Sequence, residues 1–136
     1  MLLNEADVET EAWDDPVRGQ IRFRTVFSGG LTPTHSLTMG LAELPVRGWL
    51  GRHRHGPVEV YYVEAGEGRV FLDGNEHDVS AGASVFIPSN AEHGITNTGN
   101  VPMRLLYTFA ADSMAAVHYR FSEAAAPHFP SPSVSG

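Results

Sequence analysis

The chain has 136 residues, 42% apolar and 10% aromatic, enough for one domain with its own core. It contains no cysteine, which excludes disulfides, zinc ribbons, iron–sulfur ligation and thiol catalysis. Its net charge of −7 argues against nucleic acid as a partner, because that affinity comes from neutralising phosphates.

Residues 1–19 carry six acidic side chains and one arginine with little periodicity. They read as a loosely held acidic arm, with a short helix expected around residues 4–13. The start lacks the basic and apolar regions of a signal peptide. No later apolar run approaches the roughly 20 residues of a membrane span, so a soluble, cytoplasmic protein is expected. From residue 20 onward short strand candidates follow one another. IRFRTVF (21–27) alternates apolar and polar residues and ends at Ser-Gly-Gly. HSLTMGLAEL (35–44), WLGRHRH (49–55), VEVYYVEA (58–65), GRVFLDG (68–74), ASVFIP (83–88), EHGITNT (92–98), MRLLYTFA (103–110) and AVHYRF (116–121) continue the pattern. The separators Gly-Glu-Gly, Asp-Gly-Asn, Ser-Ala-Gly, Ser-Asn-Ala and Thr-Gly-Asn are turn chemistry. Period-2 patterning with a turn about every ten residues predicts an all-β antiparallel barrel or jelly roll over 20–122. The Pro-, Ser- and Ala-rich stretch 123–136 reads as a mobile tail.

One stretch carries chemistry. In GRHRHGPVEV, His53 and His55 lie two apart, so on a strand they share a face while Arg52 and Arg54 point the other way. Glu59 and Tyr61 keep the same parity if the Gly56-Pro57 step bends the chain without flipping it, and Tyr62 then points outward. A lone His-x-His pair is more often an exposed strand edge than a ligand pair. A third histidine on a neighbouring strand would complete a metal site, and His93 stands after a glycine turn and an apolar strand ending at Pro88. His35, His77, His118 and His128 sit at turns, strand edges or in the tail and read as solvated.

These two blocks resemble the paired motifs of the cupin superfamily. The first runs His53, one residue, His55, three residues, Glu59, six residues, Gly66; the second runs Gly82, five residues, Pro88, then Asn90, His93 and Asn97. Gly48 stands one residue closer to His53 than the motif's leading glycine, and Asn90 replaces a glycine, which asparagine's tolerance of left-handed backbone permits. The resemblance implies a double-stranded β-helix barrel with a divalent transition metal (Fe, Mn, Ni or Zn) held by His53, His55, Glu59 and His93. Three imidazoles and a carboxylate suit such ions and discriminate poorly among them.

Within the superfamily the chain is similar to the short single-domain cupin lyases that cleave dimethylsulfoniopropionate. The stretches that carry this likeness are SLTMGLAEL, HRHGPVEVYYVEAGEG, PSNAEHGITNTGN and LLYTFAADSMAAVHYRF. It implies β-elimination on a small carboxylate, with Tyr61 and Tyr119 matching the pocket tyrosines and one of them taking the α-proton. Tyr107 and Trp49 are candidates for apolar pocket walls. The same four ligands also serve cupin dioxygenases, decarboxylases and isomerases, and non-catalytic small-ligand-binding cupins, so these readings stay open. Exposed strand edges of an open barrel favour a homodimer.

Overall fold

In the computed structural model, residues 1–122 are described; the tail expected over 123–136, with His128, lies outside them. Among the described residues, eleven strands form one curled antiparallel sheet. They are β1 (Glu11–Asp15), β2 (Gly19–Phe27), β3 (Thr38–Leu44), β4 (Trp49–Arg54), β5 (Glu59–Ala65) and β6 (Glu67–Leu72). The rest are β7 (Asn75–Ser80), β8 (Ser84–Ile87), β9 (His93–Asn97), β10 (Met103–Phe109) and β11 (Arg120–Phe121). The order across the sheet is β7-β6-β9-β4-β2-β3-β10-β5-β8, with β1 added on β2 and β11 on β4.

Alternation decides which residues face inward. Along β10, Met103, Leu105, Tyr107 and Phe109 are buried while the residues between them are half-exposed. Ile21 and Phe23 of β2, Ala42 and Leu44 of β3, Tyr61 and Val63 of β5, and Val70 of β6 meet them in one core. Asn97 pins this core at the strand ends. Its Nδ2 lies 2.9–3.1 Å from the carbonyl oxygens of Leu44, Pro45 and Val101, and its Oδ1 accepts from Gly99 N–H.

Three local expectations need correction. The arm does not form a helix over 4–13: a single 3-10 turn spans Glu5–Asp7, and from Glu11 the chain joins the sheet, β1 pairing with β2 from Glu11↔Phe23 to Asp15↔Gly19. Of the apolar residues of β1 only Trp13 turns inward, so no alternation marks the strand. β7 carries no apolar alternation to mark it, because its side chains are exposed except for half-buried Val79. It exists because the Asp73-Gly74 turn, with φ of 47° and 90°, folds it back onto β6, the left-handed pair that a two-residue hairpin requires. The stretch 116–121 is a strand only at Arg120–Phe121, preceded by a 3-10 turn at Met114–Ala116. Asn90 adopts φ 61°, the left-handed backbone its place in the second motif demands.

Candidate metal centre

The strand parity works as the spacing required. β4 turns His53 inward, with Arg52 and Arg54 exposed on its other face. The bend at Gly56-Pro57 keeps His55, Glu59 and Tyr61 on the inner side, and Tyr61 is 2% exposed against 43% for Tyr62. β9 pairs with β4 so that His93 lies directly opposite His53. His53, His55, Glu59 and His93 are thereby all buried, and one ligand atom from each lies within 4.8 Å of the others. His35, His77 and His118 are exposed, as expected.

The hydrogen bonds fix the tautomers. His53 Nδ1 donates to Gly51 O at 2.7 Å, His55 Nδ1 to Pro57 O at 2.9 Å and His93 Nδ1 to Ala91 O at 2.9 Å. A carbonyl oxygen only accepts, so each Nδ1 carries the proton and each Nε2 offers a lone pair. His55 Nε2 and His93 Nε2 both face the same Glu59 Oε1, at 3.2 and 3.1 Å. Acceptor then meets acceptor, a repulsive arrangement unless a cation lies among them. His53 Nε2 is buried with no partner at all among the described residues, which costs about 1–3 kcal/mol when uncompensated. Burial, then the His93 imidazole beside it, holds His53 well below the usual histidine range and so neutral. The four side chains fit a divalent transition ion: backbone oxygens orient the rings, and the remaining lone pairs converge.

Beside this cluster is a cavity of about 30 Å³, room for about two waters. Glu59 reaches it from the cluster, and Tyr61, Tyr107 and Tyr119 line it with Trp13, Phe23 and Met114 among others. Tyr119 packs on the ligand rings, 4.9 Å from His53 and 5.5 Å from His55 between centroids. Tyr61 is 6.1 Å from the His93 ring. Burial, then the charge of Glu59, raises both phenols well above their ordinary range. Tyr107 is raised by burial against the effect of its 2.8 Å hydrogen bond to Thr25. Among the described residues no hydrogen bond engages the hydroxyls of Tyr61 or Tyr119. Of the two expected walls, Tyr107 lines the cavity and Trp49 does not. Trp13 and Met114 were missed, because each is one apolar residue in a segment without periodicity.

A family model described as a cupin domain matches residues 40–109. The chain is a cupin. This cupin is 36% identical over 123 residues to dimethylsulfoniopropionate lyase DddW of Ruegeria pomeroyi, covering 90% of this chain and 80% of that one. It is 29% identical over 90 residues to an oxalate-binding protein of Thermotoga maritima, covering 65% of this chain and 74% of that one. Among solved structures, a predicted oxalate decarboxylase from Thermotoga maritima superposes with a TM-score of 0.72 at 24% identity, over 82% of this chain and 99% of that one. The polyketide cyclase RemF from Streptomyces resistomycificus superposes with a TM-score of 0.74 at 20% identity, over 90% and 87%. At those identities the structures speak to fold alone, and they agree on the barrel.

Proposed function

We propose that this cupin is a metal-dependent lyase that eliminates across the Cα–Cβ bond of a small carboxylate such as dimethylsulfoniopropionate, releasing acrylate and dimethyl sulfide. The observation that carries the reading is the buried set of three histidines and a glutamate beside a small cavity into which two phenols reach, neither with a hydrogen-bond partner among the described residues. The likeness to a dimethylsulfoniopropionate lyase over nine-tenths of the chain supports it. His53, His55, Glu59 and His93 would hold the ion. When bound, a divalent ion supplies positive charge that binds a carboxylate, acidifies its α-proton and favours a nearby phenolate.

The remaining work falls to the chain. The base is Tyr61 or Tyr119: the α-proton passes to the phenolate oxygen, the Cα electron pair becomes the new double bond, and the Cβ–S pair leaves with sulfur. Without positive charge in the centre, burial and Glu59 keep both phenols protonated, which ties their basicity to occupancy. Tyr107 is the weaker candidate because Thr25 already engages its hydroxyl. The cavity's apolar lining limits the water that could reach the reacting carbons.

The test is dimethyl sulfide in the headspace over purified protein, substrate and divalent metal. Tyr61→Phe and Tyr119→Phe are assayed alongside, with metal content followed by elemental analysis. The variant lacking the base loses on the order of 10²–10⁴ in rate with its metal retained; full activity in both variants would overturn the assignment. A second reading, non-catalytic binding of a small carboxylate, is favoured by the likeness to the oxalate-binding protein. It predicts ligand-dependent stabilisation with no product in the same assay. The proposal also takes the protein to be a cytoplasmic homodimer. Among the described residues no helix is long and apolar enough to cross a membrane. Val60 and Tyr62 of β5 and Phe86 of β8 are exposed on adjacent strands.

A further inference from the structure

Asn90 stands where the second motif carries glycine, and it holds the left-handed backbone of that turn at φ 61°. Glycine adopts such a φ without steric cost, so the turn by itself gives no reason for a side chain here. The side chain has a partner. Its Oδ1 accepts from Arg120 Nη2 at 3.0 Å, one residue beyond Tyr119. Two positions on, Glu92 accepts from the Ser122 hydroxyl and pairs with Arg54 at 3.7 Å. The turn therefore grips β11 on both sides of Phe121.

β11 needs such a hold. It spans Arg120–Phe121, and its pairing with β4 sets Arg120 directly opposite Arg54, like charges that oppose the pairing. Tyr119 depends on this short strand, because its ring stacks on Phe121 at 5.7 Å and packs on His53 at 4.9 Å between centroids. The same turn also touches two of the candidate ligands. Asn90 N–H donates to His55 O at 2.9 Å, and Ala91 O accepts from His93 Nδ1 at 2.9 Å. We propose that Asn90 is a positioning residue, linking the turn that delivers His93 to the strand that delivers Tyr119. One loop then sets both the ligand rings and the phenol packed on them. This rests on Tyr119 belonging to the site but not on its being the base.

The test is Asn90→Gly, which restores the motif residue and relieves the backbone while removing the tether. Amide hydrogen exchange and ring resonances are measured by NMR on the purified protein. Ser122 N–H, bonded to Arg52 O at 2.9 Å, reports on β11 and should exchange about fivefold faster in the variant. The amides of β10 should keep their rates, which separates local loosening from a weaker fold. The Tyr119 ring resonances, assigned with Tyr119→Phe, should move toward those of free tyrosine. Asn90→Asp keeps an acceptor and tolerates the left-handed backbone, so it should restore both signals. Unchanged exchange and resonances in Asn90→Gly, or an Asn90→Asp no better than glycine, would overturn the proposal. Dimethyl sulfide release by the same proteins, supplied with Mn(II), keeps the two readings apart. Product lacking even from the unaltered protein would sink the lyase and leave the positioning standing on its NMR signals. A loosened Tyr119 with unchanged kcat would support the positioning and remove Tyr119 as the base. A lowered kcat with both NMR signals unmoved would do the reverse.

Discussion

At Tyr107, one hydrogen bond sets this tyrosine apart from the two proposed as the base. Its hydroxyl meets Thr25 Oγ1 at 2.8 Å in a buried setting, whereas the hydroxyls of Tyr61 and Tyr119 have no such partner among the described residues. Tyr107→Phe leaves Thr25 buried and unpaired, which costs about 1–3 kcal/mol. The expected result is a lowered melting temperature with dimethyl sulfide release kept within a few-fold of the original. A loss of activity as large as that of the Tyr61 or Tyr119 variants would move the base to Tyr107. Gly40 belongs to the same arrangement, because a Cβ there would lie 2.2 Å from the Tyr107 hydroxyl. The close approach of β3 to that ring is why this position has no side chain.

At the scale of elements, the β1–β2 hairpin matters more than its sequence suggests. Asp15 closes its turn: Oδ1 accepts from the backbone N–H groups of Val17 and Arg18, and Oδ2 pairs with the Arg18 side chain at 2.6 Å. Those bonds, from the Arg18 backbone first and its side chain next, pull the Asp15 carboxyl down to about 2. A depressed carboxyl stabilises the fold fully above its unfolded value near 3.8 and stops doing so as pH falls toward about 2. Between those limits the turn should loosen and release the Arg18 guanidinium from the Trp13 ring, which it covers from 5.0 Å. The Trp13 indole resonance is expected to shift over that window in the unaltered protein. In Asp15→Asn it should already be shifted at pH 7. An unmoved resonance would show that the turn does not hold the tryptophan. The same hairpin reaches the candidate metal centre through Gly51. Its N–H bonds to Arg18 O, its carbonyl accepts from His53, and any Cβ would strike Val17 O at 2.1 Å.

For the whole molecule, the outer face of the curled sheet is the open question of assembly. Val60 pairs directly with Phe86 across β5 and β8, and both are exposed alongside Tyr62. A homodimer using this face should sediment at twice the chain mass, and Phe86→Asp should convert it to a monomer with an unchanged circular dichroism spectrum. A monomeric unaltered protein, or a Phe86→Asp dimer, would place the interface elsewhere or remove it.

The barrel was legible in the amino-acid order because alternation is short-range geometry, and the candidate ligand set because two motifs resemble those of the cupins. Alternation assigns a face to every strand residue, so His53, His55, Glu59 and Tyr61 could be put on one side before any neighbour was known. The glycine, proline and asparagine of the second motif marked the turn that delivers His93. Strand β7 and the N-terminal strand left no such mark. One is polar on both faces and owes its existence to a turn, and the other buries a single tryptophan. What only the tertiary structure decided was the cavity wall: that Trp13 meets Tyr119 and Phe121 from the other end of the chain, and that Thr25 hydrogen-bonds the Tyr107 hydroxyl. Such contacts follow from how the sheet curls and which edges meet, and no local pattern of residues encodes that.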